Sequence, residues 1–248
     1  MPRVNPRSQI RFGAIAASGW LGGGLRRRAL GTNAGTTLEH LQLKKDLKLK
    51  IVILGPDGAG KSSVIQGLMR RLDQQGRAVR MRYLKPQLVK PQRGPVVINV
   101  CPHGKPPRSV LTSLAKILVW LMEEWYAHLF MDKNGRLLIC DRYYHDLLID
   151  PMRYRYGGPL RIARLVGKLM PQPSLWVLLD APAEVLQARK QEVSRQESAR
   201  QRQAYLAFVG QQRQFAIVDA SQPLDKVIAD VEQAVTAIDS ASRLTEKP

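Results

Sequence analysis

The chain contains Gly55-Pro56-Asp57-Gly58-Ala59-Gly60-Lys61-Ser62, called here the phosphate loop, which is its strongest indication of fold. It fits the pattern G-x-x-x-x-G-K-[ST], which binds the phosphates of a nucleotide. Residues 51–54, just before it, are apolar and mostly β-branched, and they predict a buried strand. Apolar residues recur at helical spacing just after it: Val64, Ile65, Leu68, Met69 and Leu72. Strand, glycine-rich turn and helix is the order that such a loop requires.

The residue types of the phosphate loop suit a bound phosphate chain. Glycines let phosphate approach the main chain, and the N–H groups of residues 57–63 turn toward its oxygens. The amino end of the following helix adds a positive dipole. Lys61 can reach the β- and γ-phosphates of ATP, and the Ser62 hydroxyl can ligate Mg²⁺. The predicted ATP-binding residues are Gly55, Asp57, Gly58, Ala59, Gly60, Lys61, Ser62 and Ser63.

The composition limits the partners. The chain has 248 residues and a formal net charge of +19. Such a charge indicates nucleotides, nucleic acid or a membrane surface, or simply a basic surface around a phosphate-handling site. The length suits one α/β domain with appendages or two small domains. Cys101 and Cys140 make no disulfide framework, so a reducing compartment is the default.

Strand and helix patterns alternate after the loop. Further strands are predicted at 78–84, 136–140, 174–179 and 215–218, and helices at 61–74, 110–131, 159–170, 182–214 with a break, and 223–240. This alternation predicts an α/β fold, a three-layer, doubly wound, five-stranded parallel sheet. Ligands then bind at the carboxyl edge of the sheet, where Gly55, Asp141 and Asp180 lie. Charges interrupt the apolar run at 110–131, so a core helix is predicted there rather than a membrane span.

A second motif, Leu137-Leu138-Ile139-Cys140-Asp141-Arg142-Tyr143, ends a predicted strand with an acid. Such an acid beside a phosphate loop holds Mg²⁺ directly or through water, so Ser62 and Asp141 are the predicted metal ligands. Asp180 is a rival. Asp141 is preferred because Arg142 follows it and can bind an acceptor phosphate or the transferring group, unless it forms a structural ion pair.

Residues 55–63 together with Asp141-Arg142-Tyr143 resemble the thymidylate kinase family of P-loop kinases. The resemblance covers roughly residues 48–240. It implies transfer of the ATP γ-phosphoryl group to a nucleoside monophosphate, with Mg²⁺ and with Lys61, Asp141 and Arg142 as catalytic residues. It also implies that Asp57 contacts an acceptor hydroxyl and Arg142 the acceptor phosphate, with Tyr143 beside them.

The resemblance further implies a lid, for which residues 189–202 are the candidate. Arginines on a mobile segment can close over ATP, exclude water and neutralise developing charge. Arg189 and Arg195 are the predicted phosphate contacts. The alternative is a solvated helix face with ion pairs such as Glu197 with Arg200.

The acceptor region departs from the family pattern. The family carries an arginine two positions before a proline after the second strand, whereas Lys85 directly precedes Pro86 here. A proline-rich, basic loop follows through residue 108. The arginines and tyrosines of residues 150–159 could stack on a base or sugar and bind phosphate, or the segment could form a surface turn. The chain also resembles thymidylate-kinase-like proteins of bacterial surface-polysaccharide gene sets. Two alternative functions therefore stay open. One is a P-loop kinase that acts on a sugar or glycan acceptor. The other is a basic ATP-binding protein that associates with nucleic acids.

The predicted organisation is a leader at residues 1–47, a kinase domain at 48–240 and a tail at 241–248. The leader is basic and is predicted to be disordered or a short helix. Its composition fits a mitochondrial presequence better than a secretory signal. A cytoplasmic location is preferred for a kinase that uses ATP, with the mitochondrial matrix as the alternative. A homodimer is left open.

Overall fold

The computed structural model describes residues 10–12, 49–84, 105–131, 137–191 and 194–245. Its strands are β1 (Ile10–Phe12), β2 (Lys50–Leu54), β3 (Val79–Tyr83), β4 (Leu137–Asp141), β5 (Leu175–Asp180) and β6 (Phe215–Asp219). They form one sheet in the order β1-β6-β5-β2-β4-β3. Strands β2 to β6 are mutually parallel, which confirms the predicted five-stranded parallel sheet.

The helices are α1 (Lys61–Gln74), α2 (Val110–Tyr126), α3 (Asp146–Ile149), α4 (Leu160–Leu169), α5 (Ala183–Arg189), α6 (Arg195–Val209) and α7 (Leu224–Thr245). Helix α2 runs on into a π-helical turn at Ala127–Met131. Within the described ranges, no helix is long and apolar enough to cross a membrane. Helix α7 ends at Thr245, so it continues into residues 241–248, the predicted tail.

The sheet separates two apolar cores because successive side chains of a strand point to opposite faces. Along β2, Ile51 and Ile53 pack against α1 and α7, whereas Val52 and Leu54 pack toward α2, α4 and α6. Every residue of β2 is buried, as expected for a central strand covered on both faces. The predicted three-layer α/β fold is therefore confirmed.

The topology brings the candidate site residues to one edge. Strand β2 lies between β4 and β5, so the phosphate loop emerges between the carboxyl ends of these two strands. Asp141 is in register with Ile53 of β2, and Asp180 ends β5 on the other side. The reversal of strand order at β2 opens a crevice there, which is where ligands bind in sheets of this kind.

The leader contributes an unpredicted strand. Strand β1 pairs with β6 in antiparallel register, with Ile10 opposite Val218. Residues 1–9 and 13–48, which include most of the leader, and residues 85–104 of the proline-rich loop lie outside the described residues. The predictions that fall on them lie outside as well.

Candidate active site

Two glycines of the phosphate loop are required by close backbone contacts. Gly58 has φ 84°, and a Cβ there would lie 2.6 Å from the carbonyl oxygen of Leu186 on α5. Gly55 has φ 153°, and its Cβ would lie 2.7 Å from the Leu179 carbonyl oxygen on β5. Larger residues would push the loop away from the elements that support it, so the packing itself selects glycine.

The amino end of α1 is available to an anion. Gly60 is the N-cap residue, no side chain of the described residues caps the helix, and its first turn holds no acid. Gly60, Ser62 and Ser63 are exposed at this end of the helix. The first N–H groups of a helix lack intrahelical acceptors, and phosphate oxygens can accept from them.

Lys61 lies inside the phosphate loop. Its Nζ donates to the carbonyl oxygens of Gly55, at 2.7 Å, and Pro56, at 2.8 Å. It lies 4.0 Å from Oδ1 of Asp57. Burial, and then the positive charge of Arg142, lower the pKa of Lys61 to about 7. An anion bound beside Nζ would raise the pKa of Lys61 again and favour the charged amine.

The two candidate metal acids differ in their partners. Asp180 is bound by Arg202 of α6 through two hydrogen bonds, of 2.7 Å and 2.9 Å. Oδ1 of Asp141 is buried, and no described residue donates a hydrogen bond to it. A buried carboxylate oxygen without a donor is costly unless a cation or water satisfies it. Asp141 therefore fits a metal ligand better than Asp180.

Asp57 joins the phosphate loop to Arg142. Nη2 of Arg142 donates to Oδ1 of Asp57 at 2.7 Å, and both side chains are largely buried. Arg142 follows β4 with φ 67°, a left-handed backbone that turns the chain sharply at the end of the strand. Two residues that are far apart in sequence thus meet at the carboxyl edge.

Asp146 fixes the other side of Arg142. Its Oδ2 accepts from Nη1 of Arg142 at 2.6 Å and from the Tyr154 hydroxyl at 2.6 Å. The Tyr205 hydroxyl of α6 donates to the second oxygen, Oδ1. Burial alone would raise the pKa of Asp146, but Arg142 and the two hydroxyls hold it below its usual value. The buried carboxylate therefore stays charged and fixes the orientation of the guanidinium.

A second arginine reaches Asp57 from the loop between α3 and α4. Nη1 of Arg153 donates to Oδ2 of Asp57, the oxygen that Arg142 does not use. The loop is held by the Arg153 N–H, which donates to Oδ1 of Asp150 at 3.1 Å. Asp57 therefore lies between two guanidinium groups from separate elements.

The predicted lid arginines all have partners within the protein. Arg189 donates to the Ala220 carbonyl after β6 at 2.8 Å, and Arg195 pairs with Glu184 at the surface. Arg200 pairs with Glu197, as the solvated-face alternative predicts, and also donates to the Ile149 carbonyl at 3.0 Å. Residues 192 and 193 lie outside the described residues. The lid stays a prediction.

Tyr143 faces the core rather than the loop. It is fully buried, and its hydroxyl donates to the Pro171 carbonyl at 2.7 Å. Nζ of Lys50, at the start of β2, donates to the same hydroxyl at 3.1 Å. The ring therefore points toward the amino end of the sheet, whereas the phosphate loop lies at the carboxyl end. This placement does not favour the predicted acceptor contact.

Four side chains of the cluster around Asp57 and Arg142 were not among the predicted site residues: Asp146, Arg153, Tyr154 and Tyr205. The i,i+4 spacing of Arg142 and Asp146 is a usable signal for an ion pair. Arg153 lies in the segment noted for its arginines and tyrosines. Nothing in the sequence marks Tyr205, because α6 reaches the cluster only through the tertiary fold.

A glycine-rich loop between the central strand of a parallel sheet and its helix defines an α/β fold of the P-loop NTPase type. The chain is similar to thymidylate kinases from two Limosilactobacillus reuteri strains, DSM 20016 and JCM 1112. Each is 27% identical over 203 residues, covering 73% of this chain and 92% of the relative. No family model matches the chain. The similarity supports a kinase of the thymidylate kinase-like type.

Proposed function

We propose that the protein transfers the γ-phosphoryl group of ATP to a nucleoside monophosphate, with dTMP as the first acceptor to test. The observation that carries the proposal is the ion pair between Asp57 of the phosphate loop and Arg142 after β4. It links the donor loop to a second anion-binding group. The similarity to thymidylate kinases supports the same reaction.

On the donor side, the loop N–H groups and the amino end of α1 would bind the ATP phosphates. Lys61 would exchange the Gly55 and Pro56 carbonyls for β- and γ-phosphate oxygens, and it would recover its charge there. Ser62 and Asp141 would hold Mg²⁺, which supplies charge neutralisation between the β- and γ-phosphates. The buried Asp141 oxygen supports this assignment.

On the acceptor side, Asp57 would accept a hydrogen bond from an acceptor hydroxyl, and Arg142 would donate to the acceptor phosphate. Phosphoryl transfer requires positioning and charge stabilisation more than proton transfer, so fixed groups are the important ones. Asp146 and Tyr205 would position Arg142. Arg189 and Arg195 would release their present partners and close over the phosphates, excluding water.

Transfer from γ-labelled ATP tests the proposal. The purified protein is incubated with each of the nucleoside monophosphates and, separately, with neutral and phosphorylated sugars. Labelled dTDP is the expected product. Labelled sugar without labelled nucleotide would favour the sugar or glycan kinase. ATP hydrolysis that DNA or RNA stimulates, without transfer to any small acceptor, would favour the nucleic-acid-associated alternative.

We also propose a homodimer through α2 and α4. Their exposed apolar side chains include Met122, Trp125, Leu165 and Leu169, and Phe130 is exposed in the π-helical turn after α2. The Trp125 indole N–H donates to the Leu169 carbonyl at 3.0 Å, so the two helices present one face. Exposed apolar surface of this extent often marks an interface. Sedimentation velocity should give twice the chain mass, and a Trp125→Ser/Leu169→Ser variant should sediment as a monomer.

The proposed location is the cytoplasm, where ATP and nucleoside monophosphates are available, with the mitochondrial matrix as the alternative. Imaging of the full chain with a fluorescent C-terminal tag separates the two in a nucleated cell. Uptake into mitochondria that requires residues 1–47 would favour the matrix.

A further inference from the structure

We propose that Arg153 determines acceptor specificity: with Arg142 it binds the acceptor phosphate, so that the site selects phosphate monoesters over neutral sugars. This inference rests on the proposed function, because it concerns the acceptor side of the same site. It assigns a role to a residue of the α3–α4 loop, well after the Asp141-Arg142-Tyr143 motif in the chain.

The first argument is the geometry around Asp57. Arg142 and Arg153 come from different elements, and each donates to a different oxygen of the same carboxylate. Guanidinium groups bind carboxylate and phosphate oxygens with the same planar, directional hydrogen bonds. In the free protein, the Asp57 carboxylate therefore occupies the position that an acceptor phosphate would take between the two arginines.

The second argument is that the two arginines are held unequally. Arg142 is fixed from behind by Asp146, and its Nη1 also lies 3.3 Å from the Tyr205 hydroxyl. The guanidinium of Arg153, by contrast, pairs with Asp57 alone within the described part of the chain. Its side chain is 20% exposed, compared with 13% for Arg142. Arg153 can therefore change partner while Arg142 stays in place.

The third argument is charge. For Asp57 to turn toward an acceptor hydroxyl, Arg153 must give up the one carboxylate partner that it has among the described residues. A neutral sugar brings nothing to replace that partner, and it would leave a largely buried guanidinium uncompensated, which is costly. A phosphate monoester supplies the replacement negative charge. Sites whose buried polar groups are left unpaired by the wrong ligand discriminate strongly against it.

The alternative is a permanent structural pair, in which Arg153 only ties the α3–α4 loop to the phosphate loop. The two roles differ in one respect. Removing an arginine that binds the acceptor phosphate weakens dTMP binding and does not weaken the binding of thymidine, which has the same base and sugar. An arginine that only shapes the site affects both ligands alike.

Titration calorimetry with dTMP and thymidine separates these roles in the full-length protein. The variants are Arg153→Gln, the charge-conserving Arg153→Lys, and the control Arg155→Gln. Arg155 lies in the same loop but donates through Nε to the Pro106 carbonyl at 2.9 Å. We expect Arg153→Gln to weaken dTMP binding by about 10- to 100-fold, the range for one lost charge-assisted hydrogen bond. Thymidine binding should not weaken, because this variant has no guanidinium for a neutral ligand to leave uncompensated.

Arg153→Lys should recover part of the dTMP affinity, and Arg155→Gln should bind both ligands like the wild type. The inference is overturned if Arg153→Gln weakens both ligands equally or neither, or if the wild type binds dTMP no more tightly than thymidine. If the glutamine variant does not fold, Arg153→Ala is measured in its place, and equal weakening of both ligands or of neither overturns the inference. Transfer from labelled ATP is measured separately. A wild type that binds dTMP through Arg153 but transfers nothing refutes the proposed function and leaves this inference intact.

Discussion

The donor side and the acceptor side of the candidate site are built in opposite ways. The phosphate loop and the first turn of α1 are continuous in sequence, and their backbone N–H groups do most of the proposed binding. The acceptor cluster is made of side chains from four places: the loop (Asp57), the end of β4 (Arg142), α3 with the loop after it, and α6. A local site can be identified from a motif, whereas a side-chain cluster needs the fold to assemble it.

The difference also concerns electrostatics. The donor side keeps its α1 N–H groups uncapped for a ligand to use. The acceptor side satisfies its charges internally, with Asp57 and Asp146 on either side of Arg142. Binding a ligand there means exchanging one partner for another, and exchange favours ligands of the matching charge.

The largest expected effect is on the donor side. Lys61→Ala should lower phosphoryl transfer by about 1000-fold or more, because a fixed charge at the transferring group contributes several kcal/mol. Transfer from labelled ATP and calorimetric binding of ATP measure it. Lys168→Ala, which removes an exposed lysine of α4, should behave like the wild type. Unchanged ATP affinity and turnover in Lys61→Ala would reject the assignment of the loop.

The next largest effect should be on the stability of the acceptor side. Asp146→Asn removes the fully buried carboxylate behind Arg142, and the free energy of unfolding should fall by roughly 3–5 kcal/mol, as for other broken buried pairs. Urea unfolding measures it. Asp225→Asn is the control, because its side chain is 94% exposed beside Arg71 and should change stability little. Equal losses in the two variants would mean that the cluster is not an energetic unit.

A smaller effect is expected from the backbone of the donor loop. In Gly58→Ala, the backbone has a positive φ and the new Cβ would lie 2.6 Å from the Leu186 carbonyl oxygen. The free energy of unfolding should therefore fall by about 2–4 kcal/mol, and ATP binding should weaken. Gly76→Ala is the matched control, because Gly76 also has a positive φ, 70°, but open space around its Cβ. Gly76→Ala should lower the free energy of unfolding by only about 1 kcal/mol, because backbone strain alone destabilises this variant. Thermal unfolding measures the melting temperatures of the two variants. Identical shifts would show that the contact with α5 is unimportant.

The smallest expected effect is a pH dependence from Lys61. Its pKa is about 7 in the folded protein and 10.5 as an ordinary lysine. Between these values the unfolded chain holds a proton that the folded protein has released, so the free energy of unfolding should rise with pH across this window. ATP affinity should fall several-fold from pH 7 to pH 9, since phosphate favours the charged amine.

Calorimetry in buffers of different ionisation enthalpy should detect proton uptake when ATP binds at pH 8. The uptake should be absent in Lys61→Arg, whose guanidinium stays charged throughout this range. Uptake of the same size in that variant would assign the proton to another group.

The five parallel strands and the described helices other than α3 could be predicted, because each has a strong local pattern. The strand at residues 51–54 and the helix at 61–74 are separated only by the loop motif, and the structure has them within one residue of those bounds. Strand β1 could not be predicted, because a strand of three residues has too little pattern and depends on pairing with β6.

The candidate site also has one part that local sequence patterns predict and one part that depends on the tertiary fold. The motif predicted Lys61 and the loop glycines, and Arg142 was predicted from its place after Asp141. The orientation of Tyr143 toward Pro171 and the meeting of Arg153 with Asp57 depend on how the loops after β4 turn. The left-handed backbone at Arg142 sets that turn, and no periodic pattern signals it.

The fold class and the donor loop follow from the sequence alone, because hydrophobic periodicity and glycine placement act over a few neighbouring residues. The partners of the two candidate metal acids, and the arginines that share Asp57, are set by the tertiary fold. Arg202 pairs with Asp180, whereas no described residue donates a hydrogen bond to Oδ1 of Asp141. Asp146 holds Arg142, and Arg153 pairs with Asp57. Such pairings are set by distances across the folded chain, which local sequence patterns do not encode.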